Sequence, residues 1–181
     1  MKKKITKPFE LLLDYEQKSL QHAVKLPEQQ EHGNAWSGIG FRLNEHFYVL
    51  PVDRVVEVLM PAEALPVPGI KSWVIGLANL RGTLMPIIDL KRYLTTIPTQ
   101  ITGRSRLMVV NQPGGQVALL VDEVFGQRHF QPEDNCDTDL PEDSGFARYS
   151  STAFGQEGRT WNLFDVDRLV NDTDFQNAAV A

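Results

Sequence analysis

Glu133, Asp134, Asp137, Asp139, Glu142 and Asp143 crowd six carboxylates into one short segment, where a hard cation would find oxygen ligands. A calcium loop also needs a glycine at its sixth position and a glutamate at its twelfth, and this segment has neither. It reads as a solvated loop; a metal-dependent enzyme built on it is the alternative. The histidines, His22, His32, His46 and His129, share no helical ligand spacing. Cys136 stands alone between Asn135 and Asp137, with no second thiol for a disulfide or a metal cage. Gly38-x-Gly40 lacks the third glycine of a dinucleotide fingerprint and lies inside a strand pattern. No nucleophile elbow, H-E-x-x-H pair or phosphate loop occurs. No catalytic residue, metal site or cofactor is expected, and the chain does not read as an enzyme.

What remains to carry function is apolar surface with a few charges set in it. Val52, Val55, Val56, Val58, Leu59 and Met60 cluster with the acid Glu57 among them. The string Leu77-Ala78-Asn79-Leu80-Arg81-Gly82 comes about twenty residues later and brings a cation into similar surroundings. Charges flanked by apolar runs are costly unless paired or solvated, so a Glu57–Arg81 contact is expected. Such a pair could be purely architectural, or it could be the charged edge of an apolar groove that a partner recognises.

The elements that would hold these residues are short strands. Ile39, Phe41 and Leu43 alternate with Gly38, Gly40 and Arg42. Asn44-Glu45-His46 turns into a strand over Phe47–Pro51, and Val52–Leu59 reads as one helical turn followed by a strand. Pro61, Pro66, Pro68 and Gly69 impose a rigid loop. Trp73–Leu80 and Leu84–Leu90 flank Arg81-Gly82-Thr83, and Leu107–Val110 and Val117–Phe125 flank Pro113-Gly114-Gly115, both hairpin signals. Residues 126–147 read as a long polar loop. Arg148–Phe154 and Arg159–Phe164 form a last hairpin, Asp165–Val170 a short helix, and 172–181 a flexible tail. Many short strands without alternating long helices argue an all-β fold. The Asp after an apolar strand at Ile88-Asp89-Leu90 and Val121-Asp122-Glu123 is an echo too weak to claim duplication.

Ahead of this domain, residues 8–24 carry a helical pattern with Phe9, Leu12, Leu13 and Leu20 on one side, and residues 25–34 read as a linker. The helix is either a solvated extension or a partner-binding segment. Of 181 residues, 42% are hydrophobic and 23% charged, a globular composition. With 18 basic against 23 acidic side chains the net charge is -5, which argues against a nucleic-acid-binding barrel. No apolar stretch approaches the roughly eighteen residues of a membrane span. A cytoplasmic protein is expected.

Together these blocks resemble the CheW family of chemotaxis coupling proteins. The resemblance rests on Phe41–Met60, Ile75–Leu90, Leu107–Phe125 and Thr152–Val170, and most specifically on N-L-R-G-x-x-x-P-x-x-D-L at Asn79–Leu90. It covers residues 36–171. The extension Pro-Phe-Glu-Leu-Leu-Leu is similar to that of PilI-type members, which serve type IV pilus twitching motility. The resemblance implies two intertwined five-stranded SH3-like β-barrels over 35–171, with a short C-terminal helix and the N-terminal helical extension over 1–34. It implies an adaptor between a methyl-accepting chemoreceptor and a CheA-type histidine kinase at receptor arrays of the cell pole. The pathway would be the pilus system, or a flagellar or other array. Receptor-binding positions carry over to Val55, Glu57, Arg81, Leu107 and Ala118. Asn79, Gly82, Pro86, Asp89 and Asp122 are motif residues with structural roles. The chain departs from the pattern at Gln127, where the family repeats a groove-lining apolar residue.

Overall fold

The computed structural model describes Lys18, residues 36–142 and residues 144–179. Apart from Lys18, the helix expected over 8–24 and its linker lie outside the described residues. The chain divides into two units between Gly33 and Asn34, and every described strand belongs to the second.

β1 (Trp36–Leu43) and β2 (His46–Pro51) form a hairpin, and a 3-10 turn over Val52–Arg54 leads into β3 (Val55–Leu59). β4 (Val74–Leu80) and β5 (Thr83–Asp89) form a second hairpin, followed at once by α1 (Leu90–Thr95). β6 (Arg106–Gln112) and β7 (Gly115–Val121) form the third, and β8 (Glu123–Phe130) comes next. β9 (Asn135–Cys136), the hairpin of β10 (Ser150–Gln156) and β11 (Arg159–Phe164), α2 (Val166–Val170) and α3 (Thr173–Gln176) complete the order.

The strands make two sheets, ordered β8-β1-β2-β11-β10-β9 and β3-β6-β7-β5-β4. The first has a sixth strand, β9, beyond the five expected. With β9 set aside, both sheets read antiparallel, antiparallel, parallel, antiparallel. The second sheet is continuous in sequence, whereas the first takes β1 and β2 from one end of the domain and β8 to β11 from the other. The equivalence extends to detail. Asp89 caps α1 by accepting from the Arg92 N–H at 3.1 Å, and Asp165 caps α2 by accepting from the Arg168 N–H at 2.9 Å.

One core lies between the sheets. β1 contributes Phe41 and Leu43, β2 Tyr48 and Leu50, β6 Met108 and Val110, and β7 Val117, Leu119 and Val121. The alternate residues of the same strands face the other way. Leu107, Val109, Ala118 and Leu120 pack inside the second sheet with Met85 and Ile87, and Val49 packs inside the first with Trp161 and Phe130. These are the fold's SH3-like halves, joined by strands buried on both faces.

Asp122 sits where the chain crosses from one sheet to the other. Its carboxylate accepts from the Asn44 N–H at 2.6 Å, at the β1–β2 turn, and pairs with Lys91 Nζ of α1 at 3.2 Å. Both side chains of the pair are nearly buried.

Three expectations need correction. The strand expected over Leu84–Leu90 ends at Asp89, because the Asp89 side chain caps a helix. Residues 126–147 are not all loop. β8 runs on to Phe130 through a bulge opposite β1, with Gly126 at φ +78°, and Leu140 is buried. The tail expected to be flexible over 172–181 is ordered over its described residues. Phe175 stacks on Trp73 and meets Tyr93 edge-on, and Lys71 N–H donates to Ala178 O at 2.8 Å. Asp172 accepts from the Tyr149 hydroxyl at 2.7 Å and pairs with Arg148 at 2.9 Å. The Tyr149 bond, with help from the Asp174 N–H and Arg148, holds the Asp172 carboxyl below the usual carboxylate range.

These contacts set two stability outcomes. Asp122→Ala strands a nearly buried Lys91 and should cost about 3–5 kcal/mol in denaturant unfolding, with much of the loss recovered in Lys91→Met/Asp122→Asn. Asp172, depressed in the folded state, contributes stability that is present above about pH 4 and is lost as pH falls through its lower folded value. Tyr149→Phe should therefore flatten the fall in melting temperature below that pH.

Candidate functional site

The β4–β5 hairpin closes in two residues, Arg81 and Gly82, with φ of +50° and +91°. This is the left-handed pair that a tight antiparallel hairpin favours, and Gly82 adopts it without steric cost. Arg81 does not, and the turn is braced by Asn79, whose Oδ1 accepts from the Gly82 N–H at 2.8 Å. Arg81 Nη1 then reaches Glu57 Oε2 at 3.1 Å. β3 and β4 are opposite edges of the second sheet, so this contact requires the sheet to curl until strand and turn meet. The contact expected from the sequence is present.

The two partners are unequally placed. The Arg81 side chain is 74% exposed and that of Glu57 25%. A pair this open contributes at most about 1 kcal/mol to stability. Its guanidinium therefore remains accessible while one nitrogen is anchored. Around it, β3 turns Val56 (47% exposed) and Val58 to solvent, followed by Met60, and Leu84 is exposed just beyond the turn. The outward row arises because β3 is an edge strand whose Val55 and Leu59 face inward.

The other positions divide. Val55 is half-buried against the shared core. Leu107 and Ala118 are 1% and 0% exposed, inside the second sheet. Neither presents side-chain surface, because β6 and β7 are covered on both faces. Their alternating neighbours offer no surface either. Val56 and Val58 are the exposed apolar side chains at this edge, and the alternation of β3 was the signal for them. Pro86 is half-buried opposite Leu77. Asp89 is a buried cap that also accepts from the Thr99 N–H and hydroxyl at 2.8 and 2.7 Å, and Asp122 is the crossover anchor. Gln127 is exposed on β8. Cys136 is exposed beside Asp137 and Asp139, and its thiol is pushed up by desolvation and by those acids, the reverse of an activated thiolate. Among the described residues no group of His, Cys, Asp and Glu could hold a metal ion, and no helix is long and apolar enough to cross a membrane.

The sequence pattern of the CheW-like domain matches residues 37–174. Protein PilI of Pseudomonas aeruginosa is 38% identical over 174 residues, which are 96% of this chain and 97% of that protein. Chemotaxis protein CheW of Bacillus subtilis is 31% identical over 85 residues, 47% of this chain and 54% of that one. The crystal structure of scaffolding protein TtCheW from Thermoanaerobacter tengcongensis superposes with a TM-score of 0.63 at 21% identity, covering 76% of this chain and 94% of that chain. A match across nearly the whole domain, a relative aligned almost end to end and a shared double-sheet architecture agree: the chain belongs to the CheW-like domain family.

Proposed function

We propose that this protein is a non-enzymatic adaptor that couples a methyl-accepting chemoreceptor to a CheA-type histidine kinase, in a pathway controlling type IV pilus twitching motility. The observation that carries the pathway is the 38% identity to a PilI protein along almost the full length of both chains. The adaptor role is supported by an accessible guanidinium anchored beside exposed valines, which is a surface built for contact. In this reading the receptor docks at the β3 edge. Glu57 holds Arg81 in place, Arg81 meets the receptor, and Val56 and Val58 supply the apolar contact in place of Leu107 and Ala118. Signal passes only if receptor and kinase each bind one conformational state of the assembly better than another.

Arg81→Glu should weaken binding of the receptor's signalling tip at least about tenfold, while shifting unfolding stability by no more than about 1 kcal/mol. Calorimetric titration and thermal melting of the same preparation measure both. Unchanged binding would sink the docking site, and a large melting loss would make the pair architectural. Deleting the gene should shrink the twitching zone and leave swimming intact; the opposite pattern would move the adaptor to a flagellar array.

A further inference from the structure

The first sheet repeats the second strand for strand, and at the equivalent turn it carries an ion pair of opposite sense, its strand partner Arg128 lying two residues beyond Gly126, which holds the register place of Glu57. β8 takes the place of β3: each is the outer neighbour of a central strand, and each carries a bulge, at Phe125 and at Val56. The β10–β11 turn takes the place of the β4–β5 turn. It too closes in two residues, Glu157 and Gly158, with φ of +54° and +71°. Glu157 stands where Arg81 stands, and its Oε2 meets Arg128 Nη1 of β8 at 2.8 Å. In one sheet the strand supplies the acid and the turn the base; in the other the strand supplies the base and the turn the acid. The apolar edge is also altered. Gln127 occupies the place of Val58, and Phe125 is covered by the Arg159 guanidinium and the edge of Trp161.

A protein with two equivalent edges must avoid docking one partner twice. We propose that the Arg128–Glu157 pair, with Gln127, is a specificity element: its reversed polarity keeps the receptor tip off the first sheet, so that docking occurs only at the Glu57–Arg81 edge. The inference rests on receptor docking at the β3 edge. A tip whose charges complement an exposed cation at the turn meets an exposed anion at the other turn. Like charges brought together at an interface are rejected more strongly than a neutral surface would be.

The test exchanges polarity while keeping each pair intact, in the full-length protein, with the receptor signalling tip as titrant. Glu57→Arg/Arg81→Glu gives the second sheet the sense of the first and should weaken the tip at least about tenfold, as much as Arg81→Glu alone. On that background, Gln127→Val/Arg128→Glu/Glu157→Arg gives the first sheet the receptor-binding sense and should recover binding at one site. Wild-type binding by Glu57→Arg/Arg81→Glu, with Arg81→Glu still impaired, overturns the inference and leaves the docking reading standing. So does failure of the folded first-sheet variant to recover binding. Undiminished binding by Arg81→Glu itself overturns the docking reading, and the inference with it. Should the first-sheet substitutions unfold the chain, the second-sheet exchange alone decides.

Discussion

Four strands with no exposed face govern this molecule. β1, β2, β6 and β7 each send one set of side chains into the core between the sheets and the alternate set into the core of their own sheet, or, in β1, close glycines against it. At Gly40 an added Cβ would come within 2.7 Å of the Trp161 ring, so the inner face of β1 has room only for hydrogen. Neither sheet can be removed without exposing half of the side chains that stabilise the other. Full burial of each large aliphatic side chain contributes about 1.5–3 kcal/mol, so the halves behave as one cooperative body. Charge is confined to where that arrangement leaves room: the strand crossover at Asp122, the helix caps, and the rims.

The rims carry the open ion pairs. Two-residue turns with left-handed dihedrals hold Arg81 and Glu157 in fixed positions, and a strand residue across the curl of the sheet fixes each tip. Nearly buried Lys91–Asp122 and open Glu57–Arg81 have similar separations and opposite uses. The first is dry enough that losing one partner is expensive; the second is wet enough that its energy is small and its guanidinium stays accessible.

Much of this was legible in the sequence, for reasons that also mark the limit. Hairpins appeared because Arg81-Gly82 and Pro113-Gly114-Gly115 carry turn chemistry, and Glu57–Arg81 because isolated charges among valines need partners. Leu107 and Ala118 came from the family resemblance, and their burial was not legible because a strand covered on both faces has no polar alternation to say which side is which. α1 and α3 are too short for a helical period, and Phe175 is a lone anchor in a polar run, so its docking shows only once Trp73 and Tyr93 are beside it. The duplication was missed because the first repeat is divided by the chain ends. The echo lies between Val52-Asp53-Arg54-Val55 and Val121-Asp122-Glu123-Val124, and between Ile88-Asp89-Leu90 and Phe164-Asp165-Val166, not between the Asp89 and Asp122 strings themselves.

That division also dictates the order of assembly on the ribosome. The second sheet is continuous, and it can pair as soon as β7 has emerged. β1 and β2 precede the other described strands, yet β2 gains its parallel neighbour only when β11, the last described strand, is released. Through most of synthesis, the hairpin holding Phe41, Tyr48 and Leu50 waits with an unpaired edge, the condition under which nascent chains mispair or recruit chaperones. Pairing with β11 completes the sheet that β1 and β2 began.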